Sequence, residues 1–138
     1  MVLANPNNDD LSTTRSRAHR FRYARVLGVY HANVVYVGLG MVDYQPRRME
    51  FLWVRWYRHS IVGGWASRRL DCFHFPSVTQ QDSFGFIDPS DVLRACHMIP
   101  AFAQEPLHLD GIGMSPLARD SSDWVTYYGM RRVANSSP

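Results

Sequence analysis

The stretch Met49–His59, MEFLWVRWYRH, constrains this chain more than any other. Two-residue alternation puts Met49, Phe51, Trp53, Arg55 and Tyr57 on one side of an extended segment and Glu50, Leu52, Val54, Trp56 and Arg58 on the other. Both sides therefore carry large apolar groups, and a strand of that kind has to lie inside something. Each such side chain contributes about 1.5–3 kcal/mol when fully buried, so one strand can anchor a small core. Met49–His59 is predicted to be the central strand.

The remaining strand signals are arranged around it. Phe21–Val37 (FRYARVLGVYHANVVYV) is rich in strand formers and reads as two consecutive strands or one long bent one, with Gly28 and the His-Ala-Asn step as bends. Two glycines and a proline in Gly38–Arg48 predict a loop into the central strand. Gly63-Gly64 marks a hairpin leading to a returning strand over Arg68–Phe75, which Pro76 stops. A short strand follows at Phe84–Ile87. Asp88-Pro89-Ser90-Asp91 predicts a helix start: Asp88 can cap it, Pro89 has the φ of a first helical position and Asp91 places an anion near its positive end. Val92, Leu93 and Cys96 make an apolar stripe, and Pro100 limits the helix to two or three turns before His97–Phe102 extends into another strand. Ala103–Ser122 reads as loop, and Asp123–Val133 as a last strand or short helix.

With no crossover-length helix between strands, a parallel α/β fold is disfavoured. The expected fold is mainly β (β-rich α+β), a small curved sheet or partly open barrel of about five to seven strands with one short helix near residues 89–98. Residues 1–20 lack periodicity and are expected to be a flexible tail, 21–133 a single β-rich domain and 134–138 a loose end.

All 15 basic residues of the 138 are arginine and the formal charge is +3. Arginine's planar fork suits phosphate, carboxylate and aromatic partners, so nucleic acid is one reading, and codon bias is the plainer one. Arg15, Arg17, Arg20 and Arg22 form either a basic arm or an ordinary solvated run; Arg47-Arg48 and Arg68-Arg69 are the other candidate nucleic-acid contacts. Two cysteines make no disulfide framework, the first residues do not read as a charged n-region followed by an apolar h-region, and no apolar run approaches roughly 20 residues. The expectation is an intracellular protein, nuclear or cytoplasmic and not secreted, with no membrane partner.

Catalytic signatures are weak throughout. Cys72-x-His74 and Cys96-His97 offer zinc-ligand types, but one pair alternates along a strand and the other is adjacent, unlike the turn-borne spacing of structural zinc sites. No nucleophile elbow, converging acidic set or glycine-rich phosphate loop stands out. No enzyme activity, metal, cofactor or small-molecule substrate is therefore expected. What remains is the aromatic cluster with nearby arginines. Most tryptophans on a central strand are core, but Trp56, Arg58 and His59 run into the glycine turn that bears Trp65, where side chains can reach solvent, and Trp56, Arg58, His59 and Trp65 are the candidate partner-binding residues.

The ordered motifs FRYARVLGVYHANVVYVG, MEFLWVRWY, GWASRRLDCFHFP, FGFIDPSDVLRACHMIPAFA and DSSDWVTYYGMRR together resemble the C-terminal region of Plavaka-type transposon-derived proteins of mushroom-forming fungi, over roughly Phe21 to Arg132. That resemblance implies an accessory module beyond the transposase core. The family pattern continues after DW-x-x-YY towards a Gly-Val-Gly-His ending, where this chain reads YYGMRRVANSSP. In fold, the strand around Arg55-Trp56-Tyr57-Arg58, the hairpin, and the run Ala95-Cys96-His97-Met98 are similar to bromo-adjacent homology (BAH) domains of chromatin proteins, with His59 where those commonly have Pro. The leading expectation is thus a non-catalytic β-rich interaction module that binds chromatin or a protein partner. Direct DNA or RNA binding through the arginine clusters is the alternative, and a decayed transposon fragment with no selected function is the third.

Overall fold

The structure is a computed structural model that describes residues 2–4, 21–40, 44–60 and 70–130. It is mainly β. Eight strands, β1 (Val2–Ala4), β2 (Phe21–Val34), β3 (Arg47–Trp56), β4 (Arg58–Ser60), β5 (Leu70–His74), β6 (Phe84–Ile87), β7 (Met98–Pro100) and β8 (Tyr127–Met130), form two antiparallel sheets, ordered β1-β2-β3-β6 and β4-β5-β8-β7. Among the described residues neither sheet closes into a barrel.

The aromatic stretch occupies the predicted central place, and it does more than fill one sheet. β3 lies between β2 and β6 in the first sheet, and after Tyr57 the same extended segment becomes β4 of the second. The Tyr57 amide donates to the Tyr23 carbonyl at 2.9 Å, so pairing with β2 persists through the crossing. A bulge in β2 between Val26 and Gly28 shifts the β2–β3 register there. Bulges bend a strand and sharpen its twist, and this one lies next to the crossing.

Each face of the first sheet carries its own core. On one, Ala24, Leu52 and Val54 are buried, with Trp56, Ile87 and Val92 packed around them. On the other, Tyr23 joins Phe73, Phe75 and Tyr127 of the second sheet, flanked by Tyr57, Cys96, Met98 and Trp124. The Tyr57 ring stacks on Phe75 at 4.1 Å between centroids and meets Tyr127 edge-on at 5.4 Å. Successive residues of a strand point to opposite faces, so consecutive residues Tyr23 and Ala24 serve the two cores.

Two local expectations change. Asp88 caps as predicted, its Oδ1 accepting from the Ser90 amide at 2.8 Å and the Ser90 hydroxyl at 2.7 Å, and Pro89 takes the first position. The helix predicted near residues 89–98 is corrected to a single 3-10 turn, Pro89–Asp91. Val92 already leaves in an extended conformation, packing against the Leu52–Val54 core, whereas Cys96 packs against the other core. No helix can serve two separate cores over so few residues, so packing overrides the local signal. The second change lies at the N-terminus, within the segment expected to be a tail: Val2–Ala4 pair with Tyr23, Arg22 and Phe21 of β2.

Candidate functional site

Three surfaces gather residues with chemistry. The first is a buried charge network on the core between the sheets. Arg25 and Arg55 are register partners on β2 and β3, and both point at Asp123, in the loop before β8. Arg55 Nη1 donates to Asp123 Oδ2, Arg25 Nη1 donates to Asp123 Oδ1 at 2.7 Å, and Arg25 Nη2 donates to the Tyr127 hydroxyl at 3.2 Å. The Tyr127 hydroxyl also accepts from the Trp124 amide at 3.0 Å. Both guanidinium groups lie over the Phe75 ring, Arg55 at 4.1 Å and Arg25 at 4.5 Å, adding cation–π attraction where water is excluded. Burial pushes the Tyr57 hydroxyl up to about 12 against the opposing pull of Arg25, so it stays protonated at neutral pH. For Arg25, burial favours deprotonation, but the surrounding Tyr57, Asp123 and Tyr127 outweigh it and hold the guanidinium firmly charged.

The second surface is a groove of about 320 Å3 where β2, β3, β4 and β5 come together. Trp56, Arg58 and His59 line it together with Arg22, so three predicted partner-binding residues and one predicted nucleic-acid contact share one site. Phe21, Tyr23, Phe73 and Pro76 supply apolar wall. The Arg22 guanidinium lies 3.7 Å from the Trp56 ring centre; burial draws its pKa down and nearby Asp82 offsets part of that. Arg58 donates to Asp82 at 3.1 Å, and His59 Nε2 stands 3.6 Å from Asp71. Their positions follow from the crossing: Trp56 is the last residue of β3, and Arg58 and His59 open β4 on its far side.

The third surface is an aromatic ladder on the first sheet, along the face that carries Arg25 and Arg55. Tyr30 stacks on Phe51 at 5.8 Å, Phe51 meets Phe86 at 5.4 Å, and Trp53 packs on Phe86 at 4.6 Å and Phe84 at 5.3 Å. Phe86 is 66% exposed and Tyr30 51%, so the ladder faces solvent at its edges. Trp53 thus belongs to a surface rather than a closed core. Arg47 lies on the same face by strand alternation, and neighbouring Arg48 forms an ion pair with Glu50 at 3.4 Å. Arg47 and Arg48 are separated from Arg22 by nearly the full length of β3, roughly 30 Å at strand rise, so the described arginine candidates do not form one patch.

Other predicted groups lie apart. Among the described residues Cys72 and Cys96 form no disulfide, and no group of three or more His, Cys, Asp or Glu side chains converges as a metal site. Burial, and then Asp71, push the Cys72 thiol up, consistent with a small buried side chain. His74 Nδ1 is 2.6 Å from Ser60 Oγ on the neighbouring strand. Arg15, Arg17, Arg20, Trp65, Arg68 and Arg69 lie outside the described residues.

Arg25, Asp123 and Tyr127 went unnoticed in the sequence. A faint signal existed: Arg55 interrupts the large apolar run Phe51–Tyr57, and Asp123 opens the aromatic-rich run DWVTYY. A charge placed in such a setting needs an opposite charge.

Comparison of the chain with protein-family models, with curated protein sequences and with solved structures returns no match.

Proposed function

We propose that this chain is a non-catalytic β-rich interaction module that takes a segment of a protein partner into the groove lined by Trp56, Arg58 and His59. The observation that supports this reading is the convergence, in one groove of about 320 Å3, of an aromatic wall and a rim of Arg22, Arg58, His59 and Asp82. Interface hot spots favour Trp, Tyr and Arg in partly desolvated pockets, because such side chains combine large apolar area with directed polar contacts. Arg22 already lies over the Trp56 ring, so that ring has its cation and is not open to a second one. The rim therefore suits an acidic partner residue flanking an apolar anchor, and the resemblance to transposon-derived and BAH proteins makes chromatin or the element's own machinery the natural setting, in the nucleus or cytoplasm. Panning a random peptide library against the chain tests this. Enriched peptides should pair an acidic with an apolar or aromatic residue and bind at least about tenfold more weakly to Trp56→Ala and Arg58→Glu variants. Enrichment that ignores both substitutions would contradict the groove as the site.

A second reading, single-stranded nucleic acid, is favoured by one observation: the Tyr30–Phe51–Trp53–Phe86 ladder, partly open to solvent with Arg47 on its face. Bases stack on such platforms while arginine meets phosphate. Affinity for an oligodeoxythymidine should then fall linearly with the logarithm of salt concentration and drop for the Phe51→Ala, Phe86→Ala double variant. Absence of binding at low salt would remove this reading.

A further inference from the structure

A cavity of about 390 Å3 shares Tyr57 as a wall with the groove but opens onto the buried charge network, between Arg25, Ser122, Trp124, Tyr127 and Met98. Arg25 can only donate, the protonated Tyr57 hydroxyl has a proton to give, and Ser122 and the Trp124 indole add donors. The one carboxylate in contact with either arginine, among the described residues, is Asp123, and both of its oxygens are already engaged. Two guanidinium groups thus face a single carboxylate, with Arg55 and Asp123 side chains 2% and 0% exposed and Arg25, at 28%, the member of the network open to the cavity. Arg55 Nε, also buried, has no hydrogen-bond acceptor among the described residues. Buried charges are stable when paired, and this network carries an excess of one positive charge.

We propose that the cavity binds a carboxylate carried on an apolar or aromatic body. The carboxylate would accept from Arg25 at the cavity floor and from the Tyr57 hydroxyl, balancing the charge, while the body packs against Met98, Pro100 and Trp124. The volume falls within the range of roughly 300–1,000 Å3 typical of small-ligand clefts. Such a carboxylate comes either from a small organic acid or from the C-terminus of a peptide chain.

Benzoate, its neutral isostere benzamide, and the tripeptide Gly-Gly-Phe with a free or an amidated C-terminus separate these cases. Each is titrated into the full chain at constant ionic strength, with tryptophan fluorescence as the readout and a Trp124→Phe variant to assign the signal. Saturable quenching is expected for benzoate, for the free-acid peptide, or for both, at least about tenfold tighter than for the matching amide and lost in Arg25→Gln. Because Arg25→Gln can also disturb folding, Ser122→Leu, a bulkier side chain at an exposed residue of the cavity lining, should weaken binding at least about tenfold in a chain with unchanged circular dichroism. Tighter binding of the peptide assigns a chain end, and tighter binding of benzoate a small acid. Acid and amide binding equally, no saturable signal from either acid, or binding that survives both substitutions overturns the proposal. Peptide recognition by the groove is read out separately at Trp56 and Arg58, so failure of one site does not bear on the other.

Discussion

Arg55 of the central strand and Asp123 of the loop before β8, 68 residues apart, pair with both side chains withdrawn from water. This pairing ties the first sheet to the C-terminal part of the second across the Phe75 ring. A buried ion pair adds little net stability over a well-packed apolar pair, but removing one partner leaves a stranded charge. Asp123→Ala, which leaves both guanidinium groups without their carboxylate, should therefore lower unfolding stability by about 3–5 kcal/mol in urea titration, and Arg55→Ala, which leaves Asp123 paired with Arg25, should cost less. Restoring an apolar contact in the triple variant Arg25→Met, Arg55→Met, Asp123→Leu, which leaves no charge of the network unpaired, should recover part of that loss. If Asp123→Ala left the urea midpoint unmoved, the network would not be a structural tie.

Phe73 and Phe86 give a contrast within one chain. Phe73 is 2% exposed and its ring lies 4.7 Å from Tyr23, whereas Phe86 is 66% exposed on the ladder. Phe73→Ala should cost about 3–5 kcal/mol, while Phe86→Ala should stay within about 0.5 kcal/mol by the same urea measurement. Equal costs would mean that the division between core and surface is misplaced.

The loop from residue 108 to 120 folds around Asp120. Its carboxylate accepts from the amides of Met114 at 2.8 Å and Ser115 at 3.1 Å, with His108 Nε2 at 3.3 Å. Burial pushes the Asp120 carboxyl up, but those amides and His108 outweigh it and hold it below the usual carboxylate range. Asp120→Ala should cost about 1–3 kcal/mol, because the two amides lose a partner, and should speed proteolytic cleavage between residues 110 and 116. A Cβ at Gly113 would run into the same carboxylate, so Gly113→Ala should act in the same direction. Unchanged proteolysis in both variants would separate the loop's order from this carboxylate.

Stability should also depend on pH through His74. Burial, and then the charge of Arg58, hold its imidazole below the ordinary value of 6.5. The folded chain therefore takes up this proton less readily than the unfolded one. The contribution is present in full above pH 6.5 and is lost as pH falls through the depressed native value. Urea midpoints measured from about pH 8 down to about pH 5 should decline, and the decline should flatten in His74→Gln. A midpoint that rose on acidification through this range would contradict the sign.

The sequence exposed those features that local chemistry decides. Phe84–Ile87 as a strand, Asp88 as a cap and the returning strand through Cys72 and His74 all followed from alternation and turn residues. The central strand was legible because its apolar residues occupy both faces, and Trp56, Arg58 and His59, neighbours in sequence, line one groove. Long-range partners were not legible. Asp123 has no local mark that it meets Arg55, and the stripe Val92, Leu93, Cys96 imitates a helix although Val92 and Cys96 pack into separate cores. The crossing at Tyr57 hides for the same reason: MEFLWVRWYRH reads as one uninterrupted strand, whereas its final residues hydrogen-bond to a different sheet.

The most direct measurement of the central claim is an amide and indole nuclear magnetic resonance titration of isotope-labelled chain with a peptide recovered from library panning. The groove account predicts saturable shifts of the Trp56 indole N–H and of the Arg58 and His59 backbone amides, together with a weaker titration in Trp56→Ala. Shifts confined to the Tyr30–Phe51–Phe86 face, or a titration that leaves Trp56, Arg58 and His59 unmoved, would contradict it.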